Sequence, residues 1–240
     1  VERENNGNIL EIENLHLEFR SHGIWREVVK GVNFSLKKGE TLGLVGESGS
    51  GKSVSALATM GLLDKNNSKI TQGRILFDSS VDLLQLSEKE MRKYRGGKIA
   101  MIFQEPMTSL NPVVKCGKQV VEMILQHDDC SKKDAEERVL ELFDEVLLPN
   151  PSRVFDAYPH ELSGGQKQRV MIAMAIACKH EVLIADEPTT ALDVSVQKAV
   201  LDLIKTVQQK YGMGVVFISH DLGIVHSISD RIAVIYKGSI

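Results

Sequence analysis

Residues 46–53 read Gly46-Glu47-Ser48-Gly49-Ser50-Gly51-Lys52-Ser53, a complete G-x-x-x-x-G-K-[ST] run. Glycines at 46, 49 and 51 let the backbone bend until its N–H groups face a phosphate. A helix opening directly behind the loop adds its positive end. In this pattern Lys52 supplies a full charge at the β- and γ-phosphates, and Ser53 offers a hydroxyl to Mg²⁺. Glu47, Ser48 and Ser50 complete the cradle. A glycine-rich turn with no ligand is the plain alternative. What lies on either side decides against it: a short apolar strand at 41–45 enters the loop, and a helix over 52–63 leaves it. Strand, glycine loop and helix in that order are the context the motif requires.

Working outward, residues 9–19 alternate as a strand, most cleanly at Leu15, Leu17 and Phe19, and 28–36 reads as a second strand. Further strands are expected at 73–78 and 98–103. The character then changes. Helical patterns fill 117–126, 132–147 and 164–178, with Pro149 and Pro151 punctuating the last two. Strands resume at 182–185, 215–218 and 232–236, with a helix over 194–209. Alternating strands and helices predict a mostly parallel sheet with helices on both faces. The middle block reads as a helical lobe of about 113–179 inserted into a core of about 1–112 and 180–240.

Composition narrows the function classes. Hydrophobic residues make up 42% and charged residues 25% of 240, the balance of a globular chain. A net charge of -3 gives no general reason to expect nucleic acid. Cys116, Cys130 and Cys178 are odd in number and widely spaced, which suits a reducing compartment better than a disulfide framework or zinc site. The longest strongly apolar stretch, 170–178, is far short of the roughly 20 residues a spanning helix needs. Any membrane role is therefore expected through a partner. The first eight residues are polar and carry no apolar signal core.

Two more features carry chemistry. Val182-Leu183-Ile184-Ala185-Asp186-Glu187 is an apolar strand ending in two carboxylates, at the sheet edge where α/β proteins bind ligands. Asp186 suits Mg²⁺, directly or through water, and Glu187 suits an attacking water, as base or as orienting group. An acidic strand end in solvent is the bland alternative. Leu162-Ser163-Gly164-Gly165-Gln166 is a glycine turn opening a helix. Its N–H groups and hydroxyl make a second anion site, or simply a helix cap. One nucleotide cannot easily use both anion sites within one chain. The pair therefore suggests ATP held between two copies of the domain.

At this point the chain resembles the ATP-binding-cassette (ABC) family of transporter nucleotide-binding domains. The stretch 162–166 matches the family's signature, and Gln104, after Met101-Ile102-Phe103, matches its glutamine loop. Ala191-Leu192-Asp193 matches the D-loop, and His220, in Ile218-Ser219-His220-Asp221, the switch histidine. The resemblance implies an α/β fold of the P-loop nucleoside-triphosphatase type. Its RecA-like core would carry an inserted α-helical subdomain and a small antiparallel β layer around the base. It implies that Ser163, Gly164, Gly165 and Gln166 grip the γ-phosphate on a second subunit. His220 would contact that phosphate and help place Glu187 and the water; a structural histidine is the alternative. Gln104 would sense Mg²⁺ or water, its alternative being a solvated loop amide. Asp193 would link the two sites across the dimer, cap the following helix, or both. By alignment Phe19 is placed to stack on adenine, with Trp25 as competitor and a core role open for Phe19.

Three phrases resemble the peptide, dipeptide and nickel importer branch: 39–53, Phe-Gln-Glu-Pro-Met-Thr-Ser-Leu-Asn-Pro at 103–112, and 186–197. His180 departs from it, standing where proline is usual. Branch members continue beyond Gly238, so the chain is expected to be one excised domain. The resemblance implies Mg²⁺-dependent ATP hydrolysis driving import of peptides or a related solute such as nickel, with a non-transport ABC ATPase as the other reading. It also implies a second cassette, homo- or heterodimeric and head-to-tail, and multispanning permease subunits. A binding protein would act indirectly and no nucleic acid would be bound. The place would be peripheral, at the cytoplasmic face of the inner membrane.

Overall fold

The computed structural model describes residues 7–104, 109–178, 180–190 and 192–240. Two sheets form the frame. The first is antiparallel, in the order β2-β1-β4-β5, from β1 (Asn8–Ser21), β2 (Ile24–Lys37), β4 (Ser68–Phe77) and β5 (Val81–Asp82). The second is parallel, in the order β6-β7-β8-β3-β9. It contains β3 (Thr41–Val45), β6 (Ile99–Ile102), β7 (Val182–Asp186), β8 (Gly214–Ser219) and β9 (Arg231–Val234). The sheet is parallel because each strand returns through a long crossover rather than a hairpin.

The strands β7 and β8 show how one sequence serves two layers. Leu183, Ala185, Val215 and Phe217 join one apolar cluster, and Val182, Ile184, Val216 and Ile218 the other. Period-two side chains on strands buried on both faces give this division. The first cluster receives α3 (Cys116–His127), α4 (Lys132–Glu145), α6 (Gly164–Ile176), α7 (Val194–Tyr211) and α8 (Leu222–Ile228). The second receives α1 (Lys52–Thr59), α2 (Glu88–Tyr94) and the antiparallel sheet. Helices thus lie on both faces of the parallel sheet, as expected, and the antiparallel sheet shares the second face with α1 and α2. A short helix, α5 (Pro151–Asp156), precedes α6. Strands β6 and β7 are sheet neighbours, yet α3 to α6 all lie between them in sequence.

Several boundaries differ from expectation. The helix expected over 52–63 ends at Thr59. Gly61 takes φ +60°, its N–H bonds Ala58 O, and the Leu62 N–H bonds Leu57 O. That is a glycine-terminated Schellman end. The strand expected from 73 starts five residues earlier and passes through an irregularity at Gly73. Gly73 has φ +110° and a Cβ there would lie 2.6 Å from Asn14 O, so only glycine fits the close pass.

Candidate functional site

The cradle is a loop between the buried strand β3 and α1. Its Gly49 and Gly51 have φ +77° and +110°, conformations that turn successive peptide units inward. A Cβ on Gly46 would meet Ile235 O at 2.1 Å, so no larger residue fits. Gly51 is the N-cap of α1 and gives its first-turn N–H groups no side-chain partner. Those donors are left for an anion. Lys52 is buried, and its Nζ donates to Gly46 O at 2.8 Å and Glu47 O at 2.9 Å, folding back onto the loop. Burial lowers its pKa from the ordinary lysine value, while Glu187 and Asp186 oppose that shift.

Asp186 ends β7 beside this loop. Ser53 Oγ donates to Asp186 Oδ1 at 2.9 Å, joining the two halves of the site across the sheet edge. Burial raises the Asp186 pKa above the usual aspartate value, the Ser53 bond lowers it, Glu187 raises it and Lys52 lowers it. A hydroxyl and a buried carboxylate are hard oxygen donors, the set Mg²⁺ prefers.

Glu187 follows in a left-handed conformation, φ +46°. Its N–H continues the β7–β8 ladder to Ile218 O at 2.9 Å, and its carbonyl accepts from Thr190 N at 3.1 Å. The side chain is mostly enclosed and three groups meet its Oε2: Gln104 Nε2 at 3.2 Å, Thr190 Oγ1 at 2.9 Å and His220 Nδ1 at 3.2 Å. Gln104 comes from the end of β6 and His220 from the end of β8, so three neighbouring strand ends deliver the group. Thr190 had no assigned role from sequence. It lies within the 186–197 phrase, three residues after Glu187, in the turn that its own backbone bond closes.

The other candidate residues lie elsewhere. Ser163 caps α6: its Oγ accepts from Gln166 N at 3.3 Å while Gln166 Oε1 accepts from Ser163 N at 3.0 Å. A Cβ on Gly165 would strike Val196, so the signature turn packs on the start of α7. Among the described residues no hydrogen bond or ion pair joins 163–166 to the cradle. Asp193 caps α7 through Ser195 N and Val196 N. Phe19 is half-buried in β1 against the strand-side cluster. Trp25 is more open, with the Lys69 ammonium 4.5 Å over its ring. Ala191 of the D-loop match and residues 105–108 of the 103–112 phrase lie outside the described residues.

Comparison with known proteins finds relatives over nearly the whole chain. A family model described as "ABC transporter" matches residues 29–190. The dipeptide transport ATP-binding protein DppD of Bacillus subtilis is 50% identical over 230 residues, 96% of this chain and 68% of that protein. The oligopeptide transport ATP-binding protein OppD of the same organism is 50% identical, covering 97% of this chain and 64% of OppD. Glutathione import ATP-binding protein GsiA of Escherichia coli K12 is 48% identical over 97% of this chain, which spans 38% of GsiA. Among solved structures, the ATP-binding cassette MJ0796, dimeric and bound to ADP and Pi, superposes with a TM-score of 0.85 at 28% identity. That match covers 96% of both chains. The chain therefore belongs to the ABC transporter family, as one of its ATP-hydrolysing cassettes.

Proposed function

We propose that this cassette powers import of peptides or a related small solute through partner membrane subunits. The similarity to dipeptide and oligopeptide transport proteins supports the solute class. The geometry that carries the catalytic reading is the convergence of Gln104, Thr190 and His220 on one oxygen of Glu187. The second oxygen is then the one to meet a water. Glu187 accepts a proton from that water, or orients it, while it attacks the γ-phosphorus. Lys52 and the N–H groups of the 46–53 loop hold the triphosphate. Ser53, Asp186 and Gln104 are the residues that would hold Mg²⁺. When bound, the ion neutralises charge on the β- and γ-oxygens. Phe19 is assigned to the adenine, with Trp25 as its rival.

Within 163–166 the capping box uses the N–H groups of Ser163 and Gln166, and among the described residues no side chain meets those of Gly164 and Gly165. We assign residues 163–166 to the γ-phosphate on a second cassette, arranged head-to-tail, with Asp193 at the seam. The helical block 113–179 then moves as a lobe against the core of 1–112 and 180–240. Motion of the loop around Gln104 passes to permease helices. ATP drives closure by binding the closed pair better than the open one. No helix among the described residues is long and apolar enough to cross a membrane. From the likeness to importer ATP-binding proteins, the cassette is assigned to the cytoplasmic face of the membrane, held there by its partners.

The test is Glu187→Gln. ATP binding persists, phosphate release falls by at least about a hundredfold, and the ATP-bound pair accumulates. Unchanged steady-state turnover would remove Glu187 from its role. Uptake of labelled dipeptide by cells carrying the full transporter tests the solute assignment separately.

A further inference from the structure

Behind the phosphate loop lies a tight turn formed by Tyr236, Lys237, Gly238 and Ser239. Tyr236 N donates to Ser239 O at 2.8 Å and Ser239 N to Tyr236 O at 3.1 Å. Lys237 and Gly238 have φ +49° and +89°. Both central residues being left-handed makes this a type I′ turn, which glycine at the second position favours.

The turn is fastened on two sides. Gly238 N donates to Ser50 O in the cradle at 3.1 Å, and Lys30 N of β2 donates to Gly238 O at 2.7 Å. Ser239 Oγ also reaches Lys30 O at 3.3 Å. Gly238 itself is buried, and a Cβ on it would stand 2.5 Å from Val28 O. Gly51 shares this contact, its own Cβ position lying 3.2 Å from Val28 O and 3.9 Å from Gly238 Cα. One step upstream, Ile235 N bonds Val45 O at 2.8 Å, and Ile235 O closes over Gly46.

We propose that this turn is a backbone clamp on the phosphate loop, with Gly238 as its positioning residue. A planar trans peptide places its C=O and the next N–H on opposite sides. Holding Ser50 O outward on Gly238 therefore directs the Gly51 N–H into the concave side, where phosphate oxygens lie. The loop's donors are thus aimed before nucleotide arrives, and the ordering cost of binding is lowered. Because the clamp also grips β2, it couples the strand layer on the adenine side to the phosphate side. The inference rests on the nucleotide reading of residues 46–53.

The test uses position 237, which is exposed, its ammonium lying 5.0 Å from the centre of the Tyr236 ring. Lys237→Pro forces φ to about −65° and abolishes the turn; Lys237→Gly keeps it. Both remove the same ammonium. Calorimetric titration with a non-hydrolysable ATP analogue and Mg²⁺ is expected to show affinity weakened at least about tenfold in Lys237→Pro. Lys237→Gly should bind like the parent chain. Gly238→Ala should follow Lys237→Pro, and its thermal transition shows whether it folds. A Lys237→Pro chain that melts cooperatively and binds with the parent affinity would overturn the clamp. Lys52→Ala, run alongside, separates the two ideas: if it too binds normally, the reading of the site itself fails.

Discussion

Glu187 holds a backbone conformation that costs a non-glycine residue about 1–3 kcal/mol. The cost is sustained because its N–H, its carbonyl and its Oε2 are all bonded. Thr190 supplies two of these contacts from a single residue, one by its N–H and one by its hydroxyl. Thr190→Val keeps shape and backbone but removes the hydroxyl. It is expected to lower kcat about tenfold to a hundredfold with little change in KM for ATP, since Thr190 holds the carboxylate rather than the nucleotide. Steady-state kinetics with the full transporter measures the split, and a rise in KM alone would count against the role. Cysteine chemistry is a second residue-scale matter. Burial pushes the thiols of Cys116 and Cys178 up to about 11, so at neutral or mildly alkaline pH both stay protonated and unreactive. Cys130 is only half-buried. A thiol reagent at mildly alkaline pH is expected to modify one cysteine quickly in the native chain and all three after denaturation. Two or three fast thiols would contradict the packing. The sign for stability follows: the native state holds these two protons more tightly than the unfolded chain. Their contribution is complete below the unfolded thiol pKa and is lost as pH climbs through the raised values.

Between elements, α8, which follows His220 at the end of β8, lies close against β3. Gly43 makes it possible: a Cβ there would lie 2.2 Å from Val225 Cγ1 and 2.5 Å from Ser229 Oγ. Gly43→Ala must push α8 outward, since β3 is held by strands on both sides. Overpacking of this kind costs about 1–3 kcal/mol, which exceeds the few tenths to one kcal/mol a glycine-to-alanine change returns by restricting the unfolded chain. A melting temperature lowered by several degrees is expected, with reduced turnover. An unchanged melting curve would show that α8 yields freely. This contact also marks the limit of sequence reading. The strand, cradle and helix at 41–59 were legible because motif and periodicity agree. The carboxylate pair was legible from its apolar lead-in. Short helices such as α2, α5 and α8 were not, because seven residues or fewer show too little of a 3.6-residue period. The bulge at Gly73 and the third partner of Glu187 were likewise hidden, since each is set by residues distant in sequence or by a turn's geometry.

At the scale of the molecule, the sheet edge assembles Lys52, Ser53, Asp186, Glu187, Gln104 and His220 on one side, while 163–166 open elsewhere. Ser163 and Gly164 are exposed, and among the described residues the Gln166 side chain that closes the cap is the side-chain partner of the Ser163 N–H. A single copy thus carries the acid-bearing cluster and, with no hydrogen bond or ion pair to it among the described residues, the exposed helix start that we propose meets the phosphate of a second copy. Ser163→Arg distinguishes a shared site from a self-sufficient one. The change removes a helix cap, costing about 1 kcal/mol, too little to unfold a domain with two apolar clusters. It leaves the cradle untouched, so ATP binding to one copy is expected to keep its parent affinity. On the shared-site proposal the bulky cation would fill the space for a partner's triphosphate, so closure is expected to fail. In a Glu187→Gln background, size exclusion with ATP is then expected to give a dimer for Ser163 and a monomer for the arginine variant, with turnover lost in the otherwise native chain. A normal ATP-dependent dimer carrying Ser163→Arg would mean that the two anion sites never face each other.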